Sequence, residues 1–357
     1  MAPPLARVRV SDAAAAPAEA TPLAALDADV VPAPLHFVRS HHPTPALDPA
    51  AFQLVVGGAV GRPRAWTLAA LQERASPVTR HVLLECAGHR RTELEPVPDG
   101  LPWGLGAVSH ARWTGIPLVH LLDDAGLADD VCEIVFEGAD RGPFDGVPGI
   151  VGEHPFARSL PLADARGDGV LLAWAMNDAP LRPEHGGPLR LVVPGWYGMA
   201  SVKWLVGIEA ATIPFEGVFQ ALDYHLIAPG GDAPGTPITR MRVSSLLTSP
   251  EAGAVLPAGA VEVRGIAWGG DDGVAAVDVR SDDGPWRAAL LEVGESADAP
   301  TRFRAAVELP VGEHELQVRA TDGAGNRQPE RPTPNVRGYV VDAVQRLRVS
   351  ARAAPSG

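Results

Sequence analysis

The sequence predicts an α+β domain followed by a smaller all-β domain. Three observations carry that prediction. Glycine and proline are abundant, at 38 and 36 residues, while aromatics make up only 5% of the chain, which favours many turns and short elements. Helical and strand-like segments interleave up to residue 228. A Pro/Gly-rich linker, APGGDAPGTP (228–237), then gives way to alternating segments alone. At 357 residues the chain has room for two domains, and a hydrophobic fraction of 46% excludes disorder over most of it.

The elements follow in order. Residues 1–33 are Ala/Pro-rich and read as a flexible lead-in, with neither the apolar centre nor the twin arginine of a signal peptide. PAPLHFVRSHHPTP (32–45) is extended by its prolines. AFQLVVGGAVGRP (51–63) is a strand and turn. TLAALQERA (67–75) is a short helix capped by Thr67. VTRHVLLECAG (78–88) is a buried strand ending in a glycine loop. PLVHLLDDAGL (117–127) is a short helix closed by Gly126. VCEIVFEG (131–138) is a strand with Cys132 in the core, and LLAWAMN (171–177) a strand or short helix. PLRLVVPGWYG (188–198) is a strand running into a glycine turn. Beyond the linker come AVEVRGIAW (260–268), VAAVDVRS (274–281), FRAAVELP (303–310) and HELQVRATD (314–322). Their spacing, with turns at GGDDG, DDGP and DGAGN, is that of an immunoglobulin-like β-sandwich. Residues 346–357 read as a tail.

Charge and cysteine usage narrow the function. A net charge of −13 argues against nucleic acid and anionic membrane as partners and suits a cationic protein. No apolar run approaches the ~20 residues of a membrane span. The expected location is cytoplasmic, or periplasmic if a leader is removed. Two cysteines, Cys86 and Cys132, exclude a disulfide scaffold and an all-cysteine cluster, leaving open a single bridge between them. Lys203 is the only lysine.

The sequence has no P-loop, no GxSxG, no HExxH and no CxxC. GLGAVS (104–109) is an incomplete dinucleotide signal without a preceding strand. His41 and His42 are adjacent on an extended segment and face opposite ways, so they do not share one metal. ECAGHRR (85–91) is more telling. Cys86 emerges at a strand end, where Arg90 and Arg91 would favour its thiolate, a nucleophile or a soft-metal ligand; the alternative is a cysteine packed as a small apolar residue. Arg39 in FVRSHHPTP, Arg112 in HARWTG and Arg190 in EHGGPLR lie in further Gly/Pro-rich stretches. Singly each is a surface arginine; together they suit a phosphate or another tetrahedral oxyanion.

These stretches resemble one family. FVRSHHPTP, ECAGHRR, GAVSHARWTGIPL, FEGAD, SLPLADA and LLAWAMNDAPLRPEHGGPLRLVVPGWYGMASVKWL match, in order and spacing, the sulfite oxidase family of molybdenum enzymes. VRGIAWGGDDGVAAVDVRSDDGPW and ATDGAGNRQPE resemble its dimerisation domain. The resemblance implies a molybdopterin-binding oxidoreductase domain over 34–228 and an immunoglobulin-like dimerisation domain over 238–345. It implies that the Cys86 thiolate ligates molybdenum beside the cofactor's dithiolene and oxo groups. Arg39, Arg91 and Tyr224 would form the substrate site. His41, Asp140, His185, Arg190, Ser201, Val202 and Lys203 would hold the pterin and its phosphate.

The implied reaction is oxidation of sulfite to sulfate by oxygen-atom transfer. With no haem expected in this chain, electrons would pass to an external acceptor such as a c-type cytochrome, and the chain would form a homodimer. Nitrate or sulfoxide reduction, or organosulfur oxidation, is an alternative on the same site; the β-sandwich argues against the sulfoxide reductase branch. A cofactor-less binding protein is the non-enzymatic alternative. Two departures stand out. His89 replaces the asparagine usual in the cysteine loop, and the resemblance does not locate the substrate arginine that the family takes from its C-terminal domain.

Overall fold

The structure is a computed structural model that describes residues 5–11, 16–144, 146, 149–231, 235–292, 294, 296 and 298–353. Sheet dominates it. The first domain is built on two five-stranded sheets. In one, Val78–Glu85 and Leu171–Met176 flank Val108–Pro117, and both pairings are antiparallel. In the other, Leu205–Ala211 lies parallel to Gln53–Gly58 and antiparallel to Glu133–Gly142. Helices are present, as the α+β reading requires, but short: the longest among the described residues, Leu68–Arg74 and Val119–Ala125, have seven residues each. Their ends are set locally. The Thr67 hydroxyl accepts the Ala70 N–H at 3.2 Å, and Gly126 closes the second helix at φ +64°. Leu171–Met176 resolves to a strand.

The second domain packs two sheets face to face. One is ordered Ser244–Ser249, Gly259–Trp268, Thr301–Leu309, Leu290–Glu292; Gln345–Arg352 and Gly312–Asp322 are central to the other. Val263, Val279, Phe303, Leu316, Val318 and Leu347 fill the space between them. The expected tail from residue 346 is therefore corrected as far as residue 352; its last four residues lie outside the described ones. Residues 345, 347, 349 and 351 alternate inward, burying Gln345, Leu347, Val349 and Ala351.

The flexible lead-in expected over 1–33 is also corrected for its described residues. Val8–Ser11 pairs with Ala18–Ala20, which pairs in turn with Val38–Arg39, setting Ala18 opposite Arg39. Leu26 and Val31 are fully buried, and the Thr21 N–H bonds to the Gly106 carbonyl at 2.8 Å. Ala18, Ala20, Ala25, Leu26 and Val31 enter the core while Leu5 and Val8 stay exposed, a division that composition cannot register. Cys132, expected inside, is exposed, and both cysteines are free thiols.

The core of the first domain runs without a break into Leu246, Ile266, Trp268 and Val340 of the second. Arg302 pairs with Asp29 at 2.9 Å, and the Leu83 N–H bonds to the Asp298 carbonyl at 3.0 Å. Among the described residues, no helix is long and apolar enough to cross a membrane.

Gly106 tests the docking of the N-terminal arm, because a Cβ there would lie 2.3 Å from the Thr21 carbonyl oxygen. Gly106→Ala is expected to cost ~1–3 kcal/mol and lower Tm by several degrees. Limited proteolysis should then cut within residues 5–22 and leave the rest intact; an arm as resistant as in the wild type would contradict the docking.

Candidate active site

The strand Val78–Glu85 delivers the cysteine loop, and the second domain grips that loop on nearly every side. Glu85 Oε2 accepts the Trp268 indole N–H at 2.9 Å. The Val340 N–H bonds to the Ala87 carbonyl at 2.7 Å. Arg90, fully buried at φ +65°, donates Nη1 to the Ala343 carbonyl at 2.6 Å and pairs with Glu93. Arg91 donates Nε to the Arg337 carbonyl at 3.1 Å and Nη1 to the Leu101 carbonyl at 2.8 Å. Arg90 thus has a structural task that spacing alone did not reveal. His89 is buried, with Nε2 2.9 Å from the Leu105 carbonyl and Nδ1 2.9 Å from Glu85 Oε1. Nε2 must donate to that carbonyl, and one further proton is shared between Nδ1 and the carboxylate.

With its neighbours tied, Cys86 stands where two cavities meet. Cys86, Arg39, His41 and Tyr224 line both. The inner cavity continues along His36, Asp140, His185, Arg190, Ser201 and Lys203. The outer one opens past Arg91, Trp103, Phe144, Asp223, Arg337 and Tyr339. Of the residues expected from sequence, Val202 lines neither: its side chain is buried in the core, and its backbone bonds to Ala200 and Leu191. Arg112 lines neither as well.

Protonation at the junction follows from contacts and burial. His41 Nδ1 faces Arg39 Nη2 at 3.1 Å and must accept from it, so Nε2 carries the hydrogen. Nε2 lies 2.6 Å from the Tyr224 hydroxyl, which therefore accepts, and its own proton is turned away from the imidazole. Burial holds the His41 pKa well below its ordinary value, aided by the Arg39 charge, and raises that of the Tyr224 phenol. At Cys86 burial wins over the Gly88 N–H and the charges of Arg39 and Arg91, and pushes the thiol up. The expectation that neighbouring arginines favour the thiolate holds for the direction in which Arg91 acts, but burial outweighs it; a soft cation taking the sulfur would displace its proton.

The inner cavity is a buried polar cradle. Lys203 donates to Ser40 Oγ at 2.7 Å and the Glu184 carbonyl at 3.1 Å, and burial, with Arg190 adding to it, pulls its ammonium well below the usual range. Arg190 donates to the His185 carbonyl at 2.9 Å and the Ser201 carbonyl at 3.0 Å, and burial lowers it to about 9. His185 bonds to the Ala33 carbonyl at 2.8 Å and is lowered to about 4, burial again leading. Asp140 is pushed up to about 6 by burial, against the pull of Lys203.

Several residues were missed by the sequence reading. His36 and Ser40 flank the quoted Arg39. Asp223 precedes Tyr224, and its Oδ1 accepts from Arg337 Nη1 and the Tyr339 hydroxyl, both at 2.8 Å. Arg337 is the arginine that the second domain brings to the outer cavity; its setting beside a glycine, NVRGY, was the available signal.

Residues 41–219 match the family model described as the oxidoreductase molybdopterin binding domain, and residues 236–352 match the Mo-co oxidoreductase dimerisation domain. Mitochondrial sulfite oxidase of Mus musculus is 35% identical over 358 residues, 93% of this chain and 63% of that one. The chain therefore spans less than two thirds of that relative's length. The NAD(P)H nitrate reductase of Hordeum vulgare is 33% identical over 358 residues, 90% of this chain and 39% of that one. Among solved structures, the sulfane dehydrogenase SoxCD from Paracoccus pantotrophus matches with a TM-score of 0.84 and 26% identity over 99% of this chain and 93% of its own.

The cavity fits a molybdenum-bearing pterin. Asp140 Oδ1 and His36 Nε2 are buried in its walls without a hydrogen-bond partner, as expected of groups awaiting a bound heterocycle. Lys203 and Arg190, which line the same cavity, would meet a phosphate. Among the described residues no three His, Cys, Asp or Glu side chains converge on a metal position.

Asp140 gives a test with a definite sign. Its raised pKa means that its contribution to stability is present below the ordinary carboxyl range and is lost as pH rises through about 6. In cofactor-free protein, Asp140→Asn should leave Tm unchanged near ~pH 4 and raise stability by ~1–3 kcal/mol near ~pH 8. Equal effects at both pH values would contradict a buried, unpartnered carboxylate.

Proposed function

The chain belongs to the sulfite oxidase family of molybdopterin-dependent oxidoreductases, and on that premise we propose that it oxidises sulfite to sulfate and passes the electrons to a separate acceptor. The observation that carries this reading is the convergence of one thiol, two guanidinium groups and one phenol, from Cys86, Arg39, Arg91 and Tyr224, around the junction of the cavities. When bound, the molybdenum–pterin group supplies a two-electron redox change and the oxygen atom to be transferred.

The chain's own residues have separable tasks. In the inner cavity Lys203, Arg190, Ser201 and His185 would anchor the pterin's phosphate arm, and Asp140 and His36 would meet its ring. Cys86 would hold the metal at the mouth of the outer cavity. Arg39 and Arg91 would bind the sulfite oxygens and offset their charge. The hydrogen bond from His41 leaves the Tyr224 hydroxyl proton free to be donated to a substrate oxygen. The buried rings of Trp103 and Phe144 exclude water around the anion.

A net charge of −13 supports a small basic cytochrome c as acceptor, since opposite charge raises encounter rates. The dimerisation-domain match supports a homodimer through the second domain, for which we propose an immunoglobulin-like topology. Nitrate reduction is the second reading, favoured by the likeness to the barley nitrate reductase.

Purified protein should contain molybdenum and reduce ferricyanide or cytochrome c in the presence of sulfite, with the cytochrome rate falling as salt is added. Nitrate reduction without sulfite oxidation would replace the first reading by the second. Arg91→Gln should raise KM for sulfite ~10–100-fold with a smaller effect on kcat; an unchanged KM would remove Arg91 from substrate binding.

A further inference from the structure

The outer cavity is larger and more apolar than a bare sulfite needs. Besides Arg39, Arg91 and Tyr224 it is lined by the rings of Trp103, Phe144 and Tyr339 and by Val336, which is 49% exposed. Its charge is also smaller than a count of arginines suggests. Arg39, Arg91 and Arg337 are set against Asp99 and Asp223, three guanidinium groups against two carboxylates. Arg337 is paired with Asp223 at 2.8 Å and donates to the Leu222 carbonyl at 3.1 Å. This balance suits a monoanion better than a dianion.

Tyr339 lines this cavity together with Trp103 and Phe144. Its ring stacks on Tyr224 with centroids 5.4 Å apart and an interplanar angle of 22°. The Arg91 guanidinium lies 5.2 Å from the same ring. Its hydroxyl is fixed on Asp223. Its backbone is fixed too: the Tyr339 N–H bonds to Asn335 Oδ1 at 2.9 Å, and Asn335 Nδ2 to the Tyr339 carbonyl at 2.7 Å. Gly338, at φ +60°, lets this turn press on Arg91, because a Cβ there would come within 2.9 Å of Arg91 Cγ. The ring is thus a rigidly held aromatic group beside the group proposed to bind the oxyanion.

We propose that Tyr339 is a specificity-determining residue, and that the outer cavity takes a monoanionic sulfur oxyanion carrying an apolar substituent in addition to, or in place of, inorganic sulfite. This inference rests on the oxyanion role proposed above for Arg39 and Arg91. The sulfur head group lies at these arginines, and the substituent lies along Tyr339 towards Val336.

Binding to the purified holoenzyme tests it without turnover. Isothermal titration would compare benzenesulfonate with methanesulfonate, two monoanions that differ only in the substituent, with sulfate as a third ligand. The wild type should bind benzenesulfonate at least ~5-fold more tightly than methanesulfonate, the scale of one aromatic stacking contact. Tyr339→Ala should bring that ratio close to one while changing the methanesulfonate affinity less than ~2-fold, and Tyr339→Phe, which keeps the ring, should preserve the ratio. A wild-type ratio near one with sulfate still bound, or a ratio unmoved by Tyr339→Ala, would overturn this inference alone. Failure of all three anions to bind would overturn the oxyanion pocket, and this inference with it.

Discussion

The site depends on the clamp that the second domain places on the cysteine loop. Trp268, Arg337, Val340 and Ala343 bond respectively to Glu85, Arg91, Ala87 and Arg90. These partners come from the end of one sandwich strand and from the segment before the last one. A loop so constrained has little choice of conformation, and its tied neighbours, the Gly88 N–H and two apolar clusters together hold Cys86 at the cavity junction. Buried hydrogen bonds of this kind are costly to break, because each leaves an unsatisfied donor or acceptor. A domain recognised by its likeness to dimerisation domains therefore also shapes the catalytic pocket. The shared core through Leu246, Ile266 and Trp268 supplies the stiffness that the clamp needs.

The same constraint explains the electrostatics. The inner cavity buries an ammonium, a guanidinium, a carboxylate and imidazoles, an arrangement that opposes ionisation of each: Asp140 is raised, and Lys203, Arg190 and His185 are lowered. Backbone carbonyls satisfy the arginine and the lysine, but Asp140 Oδ1 and His36 Nε2 are left without partners. Both residues line the inner cavity, where a bound ligand would complete these atoms. At the junction the order Arg39, His41, Tyr224 directs hydrogen bonds one way, so that a single geometry sets both the Arg39 guanidinium and the phenol's proton.

The sequence made much of this legible, for physical reasons. Strand and helix segments carried clear periodicity and caps, as at Thr67 and Gly126, and they formed close to where expected. Cys86, Arg39, Arg91, His41 and Tyr224 came from short motifs far apart in the chain, and the fold brings them together. What escaped depended on tertiary contacts. The N-terminal arm is Ala/Pro-rich, yet its backbone pairs with the strand bearing Arg39, a register that composition cannot encode. The strand 345–352 was hidden behind arginines that alternate outwards. The Cys86 thiol was judged by its charged neighbours, whereas burial governs it. Val202 sat between two cavity residues in sequence, but the chain turns its side chain into the core. His89, the departure from the family's loop, bridges Glu85 and the Leu105 carbonyl, so it reinforces the clamp rather than facing the substrate.

The central claim is that this clamped loop presents the Cys86 sulfur to a molybdenum ion held by a pterin in the inner cavity. X-ray absorption at the molybdenum edge of the purified protein, compared with Cys86→Ser, tests it most directly. The account predicts a molybdenum–sulfur shell in the wild type that loses one scatterer in the variant, while bound pterin is retained. An identical sulfur shell in both proteins would contradict it.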